Sequence, residues 1–343
     1  MLTEREEKEA GLYRPLENKI VECYLCAHRC RIGPGKRGIC RVRENREGIL
    51  YSLVYGKAIS RNLDPIEKKP LFHFLPGTLS YSLSTVGCNF RCGFCQNQEI
   101  SQAGEIGEDT VPGQALSPET IVREALSSKC RSISYTYTEP TIFFEYACDT
   151  ARIAREKGLK NVFVTNGYQT PETVDKMKGL IDAANVDLKS FSEEFYRELC
   201  KAHLKPVLES IKNMYEAGIM LEVTTLIIPG HNDSLEELKK IADFLAGISV
   251  DIPWHLSRFY PHYRMQDIPP TPPETIYRAI EIGKAAGLRY LYAGNLPGSD
   301  YEDSLCPHCK KTVVSRVGYT VGNINLRGKM CAHCGQGLPF YTG

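Results

Sequence analysis

The sequence predicts an α/β protein built on a parallel sheet with crossover helices. Three observations carry this. Short β-rich runs alternate with amphipathic helical stretches through the middle of the chain. The helical stretches open on capping signals, and the connections between elements are short. Both flanks are of a different kind, dense in cysteine and poor in helical periodicity.

Taken in order, the expected strands are Leu79–Val86, Ser132–Tyr137, Asn161–Thr165, Ala184–Leu188, Leu221–Ile228, Pro253–Leu256 and Arg289–Tyr292. Between them, Ser117-Pro118 sets a capping serine before a proline at the first helical position. Ser234-x-x-Glu237 and Thr271-x-x-Glu274 read as capping boxes, the second with Pro272 at the first helical position. Gly158, Gly218 and Gly287 stand where helices would end. Periodicity does not choose between an open doubly wound sheet and a full or partial barrel. The domain reading is a Cys-rich region over 1–78, the α/β unit over 79–300 and a small Cys-rich module over 301–343.

The chain has 343 residues, 42% hydrophobic and 24% charged, the balance of an ordinary globular protein. A formal net charge of +1 offers no basic stripe for nucleic acid and no footprint for an anionic membrane. No apolar run approaches the roughly 20 residues of a membrane span. The charged start MLTEREEKEAG is expected to be no signal peptide.

Fourteen cysteines are the informative count. Eleven fall into three clusters: Cys23, Cys26, Cys30 and Cys40; Cys88, Cys92 and Cys95; Cys306, Cys309, Cys331 and Cys334. A long chain with clustered thiols reads as a metal binder in a reducing, cytoplasmic setting. Cys130, Cys148 and Cys200 stand apart and are expected to be buried packing residues.

The central triad lies in Thr85-Val86-Gly87-Cys88-Asn89-Phe90-Arg91-Cys92-Gly93-Phe94-Cys95, just after an expected strand. C-x3-C-x2-C can ligate three irons of a cubane and leave the fourth open, whereas a ferredoxin brings four cysteines in one set. A zinc site with a distant fourth ligand, or three buried thiols, are the alternatives. In the C-terminal module, two Cys-x2-Cys knuckles make a zinc-ribbon pattern, with rubredoxin-like iron the alternative. His308 and His333 are expected on its surface. The N-terminal spacing, C-x2-C-x3-C-x9-C, is not that of a ferredoxin. Zinc is the leading reading there, held by all four cysteines or by three of them with His28.

The triad resembles the signature of the radical S-adenosylmethionine (SAM) superfamily. Its surroundings resemble the pyruvate formate-lyase activating enzyme group and, within it, the radical SAM component of the AmmeMemoRadiSam system. The other resembling blocks are Asp64–Gly77, Ser134–Pro140, Thr165-Asn166-Gly167, Asp187-Leu188-Lys189 and Pro229–Asp233, in the family's order and across nearly the whole chain. The resemblance implies a partial, open (β/α) barrel, a [4Fe–4S] cluster and SAM. It also implies cleavage of SAM to a 5′-deoxyadenosyl radical that abstracts hydrogen from a substrate. Flavodoxin or ferredoxin would supply electrons, and Memo-type and AMMECR-type proteins are the implied partners. Activation of a glycyl-radical enzyme is the alternative function, and a non-catalytic Fe–S or zinc protein the second.

Site roles follow from the same resemblance. Phe94 would lie near the adenine. Thr138 and Glu139 stand where many relatives carry Gly-Gly-Glu, at the strand end that receives the SAM amino group; a plain helix start is the other reading of Glu139-Pro140. Asn166 and Gly167 match the tail of a ribose-binding motif whose Asp is Val164 here. Asp187 and Lys189, two apart on a strand, share a face and would reach the methionine part of SAM, or form an internal ion pair. His255 would sit near the cofactor, and Arg258 could hold an anionic substrate group. Lys69 and His73 lie in the Pro-rich Asp64–Gly77 block, expected to be a linker packed over the barrel mouth. Ala293-Gly294-Asn295 could approach a ligand or make a plain turn.

Overall fold

The computed structural model describes residues 8–102 and 111–343; most of the charged N-terminal start lies outside them. At its centre is an eight-stranded sheet. Strand β1 (Ser60–Pro65) runs antiparallel to β2 (Leu79–Ser84). Then come β3 (Ser132–Tyr135), β4 (Lys160–Thr165), β5 (Ala183–Asp187), β6 (Met220–Ile227), β7 (Trp254–Arg258) and β8 (Leu291–Gly294). From β2 onward all pairs are parallel and spatial order equals chain order. β8 and β1 are the two edges, so the barrel is not closed. The order also decides what periodicity left open. Right-handed crossovers that always step the same way lay every helix on one face, whereas a doubly wound sheet reverses direction part-way.

The helices are α1 (Pro118–Ser127), α2 (Phe144–Glu156), α3 (Pro171–Met177), α4 (Leu204–Glu216), α5 (Leu235–Ile248) and α6 (Pro273–Ala285). Ser117 caps α1 through Thr120 N–H at 3.2 Å, and Ser234 caps α5 through Glu237 N–H at 3.2 Å. The two capping boxes do not close. Glu237 turns away to take hydrogen bonds from Ser190 Oγ and the Phe191 amide in the loop after β5. Thr271 accepts from Phe259 N–H and donates to Ile227 O, so α6 starts one residue late, behind Pro272, without a side-chain cap.

Alternation sorts the strand residues between two faces. In β6, Leu221, Val223 and Ile227 join the main apolar core beneath the helices. The intervening Glu222 and Thr224 turn inward. That inner face is filled by residues 66–75. Ile66, Leu71, Phe74 and Leu75 pack on Val162 and Ala183, and Asn185 Nδ2 donates to Pro70 O at 2.8 Å. The Asp64–Gly77 block therefore starts as the end of an edge strand and continues as a plug inside the curled sheet, not as a linker over its mouth. Proline suits both places, since neither asks it to donate to a ladder.

The Cys-rich N-terminal region forms antiparallel strands of two to four residues, among them Val21–Cys23 and Arg43–Arg46, and shares the main core through Val21, Ile32, Val42 and Leu50. The C-terminal module is a three-stranded sheet with a short hairpin. It packs against the plug through Phe340 and Leu338, with Phe72, Tyr290 and Tyr292 across the seam. Arg316 lies against the plug, with Nη2 on Phe72 O at 2.6 Å and its guanidinium 4.2 Å from the Phe72 ring. Among the described residues no helix is long and apolar enough to cross a membrane.

Candidate active site at the strand ends

A cavity of about 510 Å³ opens at the C-terminal ends of β2 to β7. Cys88, Cys92 and Cys95 reach it from the loop after β2. That loop is braced from behind, with Arg91 N–H donating to Cys200 O at 2.9 Å and Gly93 N–H to Leu199 O at 3.0 Å. Cys200 is fully buried against Cys92 and does not line the cavity. Burial pushes the Cys88 and Cys95 thiols up, and the thiol of Cys92 rises chiefly through its contact with Cys200. With Cys92 buried and Cys88 and Cys95 partly so, the three thiols are neutral on their own, and the charge of a bound metal would be what holds them as thiolates.

Across the cavity stands Lys189, its Nζ 2.7 Å from Asp187 Oδ2. Burial alone would discharge this lysine. Asp187 and the Cys92 and Cys200 sulfurs outweigh burial and raise its pKa well above the ordinary value. It therefore remains a fixed cation, 5.7 Å from the Phe94 ring.

Glu139 lines the cavity, with three donors on its Oε1 and one on its Oε2. It accepts from Thr141 N–H at 3.0 Å and Thr141 Oγ1, from Thr165 Oγ1 at 2.7 Å and from Asn166 N–H at 2.8 Å. Burial nonetheless pushes its pKa up, against those donors. Glu139 is thus both the cap of the helical turn at Pro140 and a brace tying the end of β3 to the end of β4. Asn166 continues the chain of contacts, donating to Asn89 Oδ1 at 2.7 Å in the cysteine loop.

The structure brings nine of the expected side chains to this one cavity: the three cysteines, Phe94, Thr138, Glu139, Asn166, Asp187 and Lys189. Val164 lines it where the ribose-binding Asp of the activating enzymes would stand. Three expected residues, Gly167, His255 and Arg258, lie elsewhere. Gly167 has φ +72°, and a Cβ there would come within 2.7 Å of Val186, so it serves a tight turn against β5. His255 shares a face with Ser257, which does line the cavity, but its ring turns away. Its Nε2 meets Glu222 Oε2 at 2.7 Å, Phe72 packs edge-on at 4.8 Å and Tyr292 stacks at 5.1 Å. It belongs to the packing between sheet and plug. Arg258 is likewise held by Thr271 O at 2.8 Å and lies off the cavity.

Lys69 and Asn295, read from sequence only as parts of a linker and a turn, line the cavity too, and so do Tyr137 and Tyr319. Tyr137 has φ +63°, the left-handed conformation that glycine adopts freely and that costs other residues about 1–2 kcal/mol. It occupies the first position of the Gly-Gly-Glu pattern, a non-glycine held in a conformation that favours glycine. Its hydroxyl donates to Asp64, and Lys69 lies 4.6 Å over its ring. Lys69 Nζ binds Asp64 Oδ2 at 2.6 Å with both side chains buried. Burial works against the Asp64 charge, but hydrogen bonds from Lys69, Tyr137 and Lys68 hold its carboxyl well below the usual range. Tyr319 reaches the cavity from the C-terminal module. A non-glycine in a glycine's place was the one sequence signal for Tyr137; nothing marked Tyr319.

Residues 82–245 match the model of the radical SAM superfamily. An uncharacterized protein of Methanocaldococcus jannaschii is 44% identical over 96% of this chain and 98% of its own length. The chain belongs to the radical SAM superfamily. The benzylsuccinate synthase activating enzyme of Thauera aromatica is 23% identical over 54% of this radical SAM chain and 62% of its own. Among solved structures, a radical SAM methyltransferase from Sphaerobacter thermophilus superposes with a TM-score of 0.51 at 17% identity, over 64% of this chain and 66% of that one; at that identity it bears on the fold alone. Superfamily membership implies a [4Fe–4S] cluster and SAM, and the three converging thiols fit the first.

Apart from this cavity, Cys306, Cys309, Cys331 and Cys334 come together in the C-terminal module, all four sulfurs within 4.8 Å of one another. His308 is not among them, and His333 is exposed, with Nε2 3.2 Å from Thr312 O.

Proposed function

We propose that this chain cleaves SAM reductively to a 5′-deoxyadenosyl radical, which abstracts hydrogen from a substrate bound in the same cavity. One observation carries the reading: three thiols and a fixed lysine–aspartate pair converge on a single cavity that no fourth cysteine lines. The cluster, when bound, supplies an open iron that chelates the SAM amino and carboxylate groups, and the electron that breaks the S–C5′ bond. Lys189 meets the SAM carboxylate, and Asp187 beside it favours the amino group. Phe94 offers an apolar wall for the adenine. Glu139 holds the strand ends in register through Oε1, and its Oε2, which takes only the Asn166 N–H, keeps a lone pair toward the cavity's ligand. Lys69, Tyr137 and Tyr319 line the remaining wall and are assigned to the substrate.

The separations of 3.7 Å between Cys306 and Cys334 and 3.8 Å between Cys309 and Cys331 support a single tetrahedral ion in the C-terminal module. Zinc is the ion proposed, with rubredoxin-like iron the alternative of the same geometry. A flavodoxin- or ferredoxin-type donor and a cytoplasmic setting accompany this chemistry. Activation of a glycyl-radical partner is the second reading, favoured by the relative named as an activating enzyme. Memo-type and AMMECR-type proteins remain the partners proposed from the resemblance.

The experiment is anaerobic incubation of reconstituted protein with dithionite and SAM. Equal amounts of 5′-deoxyadenosine and methionine are expected, lost in the Cys88→Ala/Cys92→Ala/Cys95→Ala variant. Adding extract and deuterated candidate substrates then identifies which one passes its label to 5′-deoxyadenosine. Cluster-loaded protein that yields no 5′-deoxyadenosine would overturn the assignment.

A further inference from the structure

The N-terminal cysteines are not drawn together as a single ion would draw them. In the C-terminal module all four sulfurs lie within 4.8 Å of one another, as metal–sulfur bonds of about 2.3 Å in a tetrahedron demand. Among the described residues no other group of three or more Cys, His, Asp or Glu ligand atoms meets that limit. Neither the Cys88 triad nor the quartet Cys23, Cys26, Cys30 and Cys40 is so compact. The triad provides an internal standard, because thiolates on a cubane bind separate irons and stand farther apart than thiolates on one ion. The quartet shares the wider spread. Its four cysteines nevertheless surround one small closed pocket, walled by Ile32, Ile142 and Arg43.

Arg43 is the second observation. Its side chain is 1% exposed. Nη2 donates to Glu145 Oε1 and to Gly11 O, each at 2.7 Å. Nε and Nη1 have no partner. Two guanidinium nitrogens, with three N–H groups between them, left unpaired in a buried pocket are costly. Thiolates on zinc accept N–H···S bonds as thiolates on a cluster do, and Glu145 Oε2 in the same ion pair is also unpaired. Arg43 therefore marks an anionic metal–thiolate pocket without naming the metal; a cubane adds inorganic sulfides as further acceptors.

The third observation is position. His28 Nε2 lies 2.8 Å from Asn89 O in the triad loop. Arg91 links the two loops, reaching Ile39 O at 2.6 Å and Cys88 O at 2.8 Å. Gly87 has φ +102°, and a Cβ there would meet Val42 Cγ1 at 2.9 Å and Cys40 O at 3.2 Å. The backbones of the two cysteine groups are in contact.

We propose that Cys23, Cys26, Cys30 and Cys40 hold a second [4Fe–4S] cluster that relays electrons to the cluster on Cys88, Cys92 and Cys95. This rests on the triad's reading as a cluster site. With all four irons held by protein, the second cluster has no place for SAM. It takes one electron from a low-potential donor, flavodoxin or ferredoxin in class and dithionite in the test tube. It returns to its oxidised state by passing that electron on, and no bond or proton changes hands. Spacing alone favours zinc here; the spread of the sulfurs points to the larger group, and the buried guanidinium to an anionic one.

The test uses the full chain, reconstituted anaerobically, with iron, sulfide and zinc analysis, Mössbauer spectroscopy and EPR. In the Cys88→Ala/Cys92→Ala/Cys95→Ala variant, about four irons and four sulfides should remain, with a reduced EPR signal indifferent to SAM. Wild-type protein should show two signals of equal weight, one shifted by SAM and one not. This second measurement decides the matter even if the variant fails to fold. A triple variant without iron but with a second zinc, or wild-type protein whose entire cluster signal shifts with SAM, overturns the proposal. Failure of the function reading has a different signature, a wild-type protein in which no signal responds to SAM.

Discussion

Lys189 is the cation whose removal the cavity should feel most. Its side chain is 13% exposed and Nζ lies 2.7 Å from Asp187 Oδ2, while Asp187 is 40% exposed. Lys189→Ala removes a charge-assisted hydrogen bond to the SAM carboxylate, worth about 1.5–3 kcal/mol net. At about 1.4 kcal/mol per decade, that is roughly ten- to a hundredfold in SAM affinity. A second contribution has the same sign, because Asp187 then faces the bound carboxylate as an unpaired anion. The cluster should remain, since none of its ligands has changed. The assay is SAM binding to the reconstituted variant, read by the change in its EPR signal, together with the rate of 5′-deoxyadenosine release. Adding Asp187→Asn removes that repulsion but also the carboxylate assigned to the SAM amino group, so the double variant should not regain wild-type affinity. If Lys189 were only a structural partner of Asp187, Lys189→Ala would lower the melting temperature and leave affinity and rate untouched. That outcome would refute the reasoning.

Glu139→Gln should destabilise the fold by about 1–3 kcal/mol, because an amide NH₂ replaces an oxygen surrounded by donors; an unchanged urea midpoint would show that the brace is dispensable. Stripping the C-terminal metal with a chelator should make residues 301–343 protease-sensitive while the barrel resists, and should weaken SAM binding, because Tyr319 lines the cavity. His73 is held neutral by burial, which pushes its pKa down from 6.5 to about 3. The unfolded chain takes up that proton near 6.5 and the folded chain only near 3, so this part of the stability is complete above pH 6.5 and is lost as the pH falls through that window. The slope of melting temperature against pH between about 6.5 and 4 should flatten in His73→Gln; an unaltered slope would assign the acid sensitivity to other groups.

The seven parallel strands were legible because a parallel sheet covered by helices leaves an unmistakable rhythm of apolar runs and caps. Their ends were less so. Thr271 reads as a capping residue by spacing, but in the fold it finds Phe259 N–H and Ile227 O first, and a side chain takes the partners that tertiary structure offers. Asp187 and Lys189 do reach one cavity, but the strand ends at Asp187 and Lys189 lies in the loop beyond it, so the period of two along a strand does not by itself account for their meeting. His255 stood at the right strand end, yet its direction was set by Glu222 and Phe72, which no local pattern connects to it.

Membership of a radical SAM family, the triad that can hold its cluster and the two flanking cysteine groups were determined by the sequence alone, because each depends on residue types at short, fixed spacings. What only the tertiary structure decided lies between distant segments. Residues 66–75 fill the inner face of the sheet, where the amide of His73 donates to Glu222, 149 positions away. Tyr319 enters the cavity from another module. The unpaired nitrogens of Arg43 meet the four N-terminal cysteines beside the triad loop. Contacts of this kind depend on how the chain closes on itself, and loop closure leaves no mark in any window of neighbouring residues.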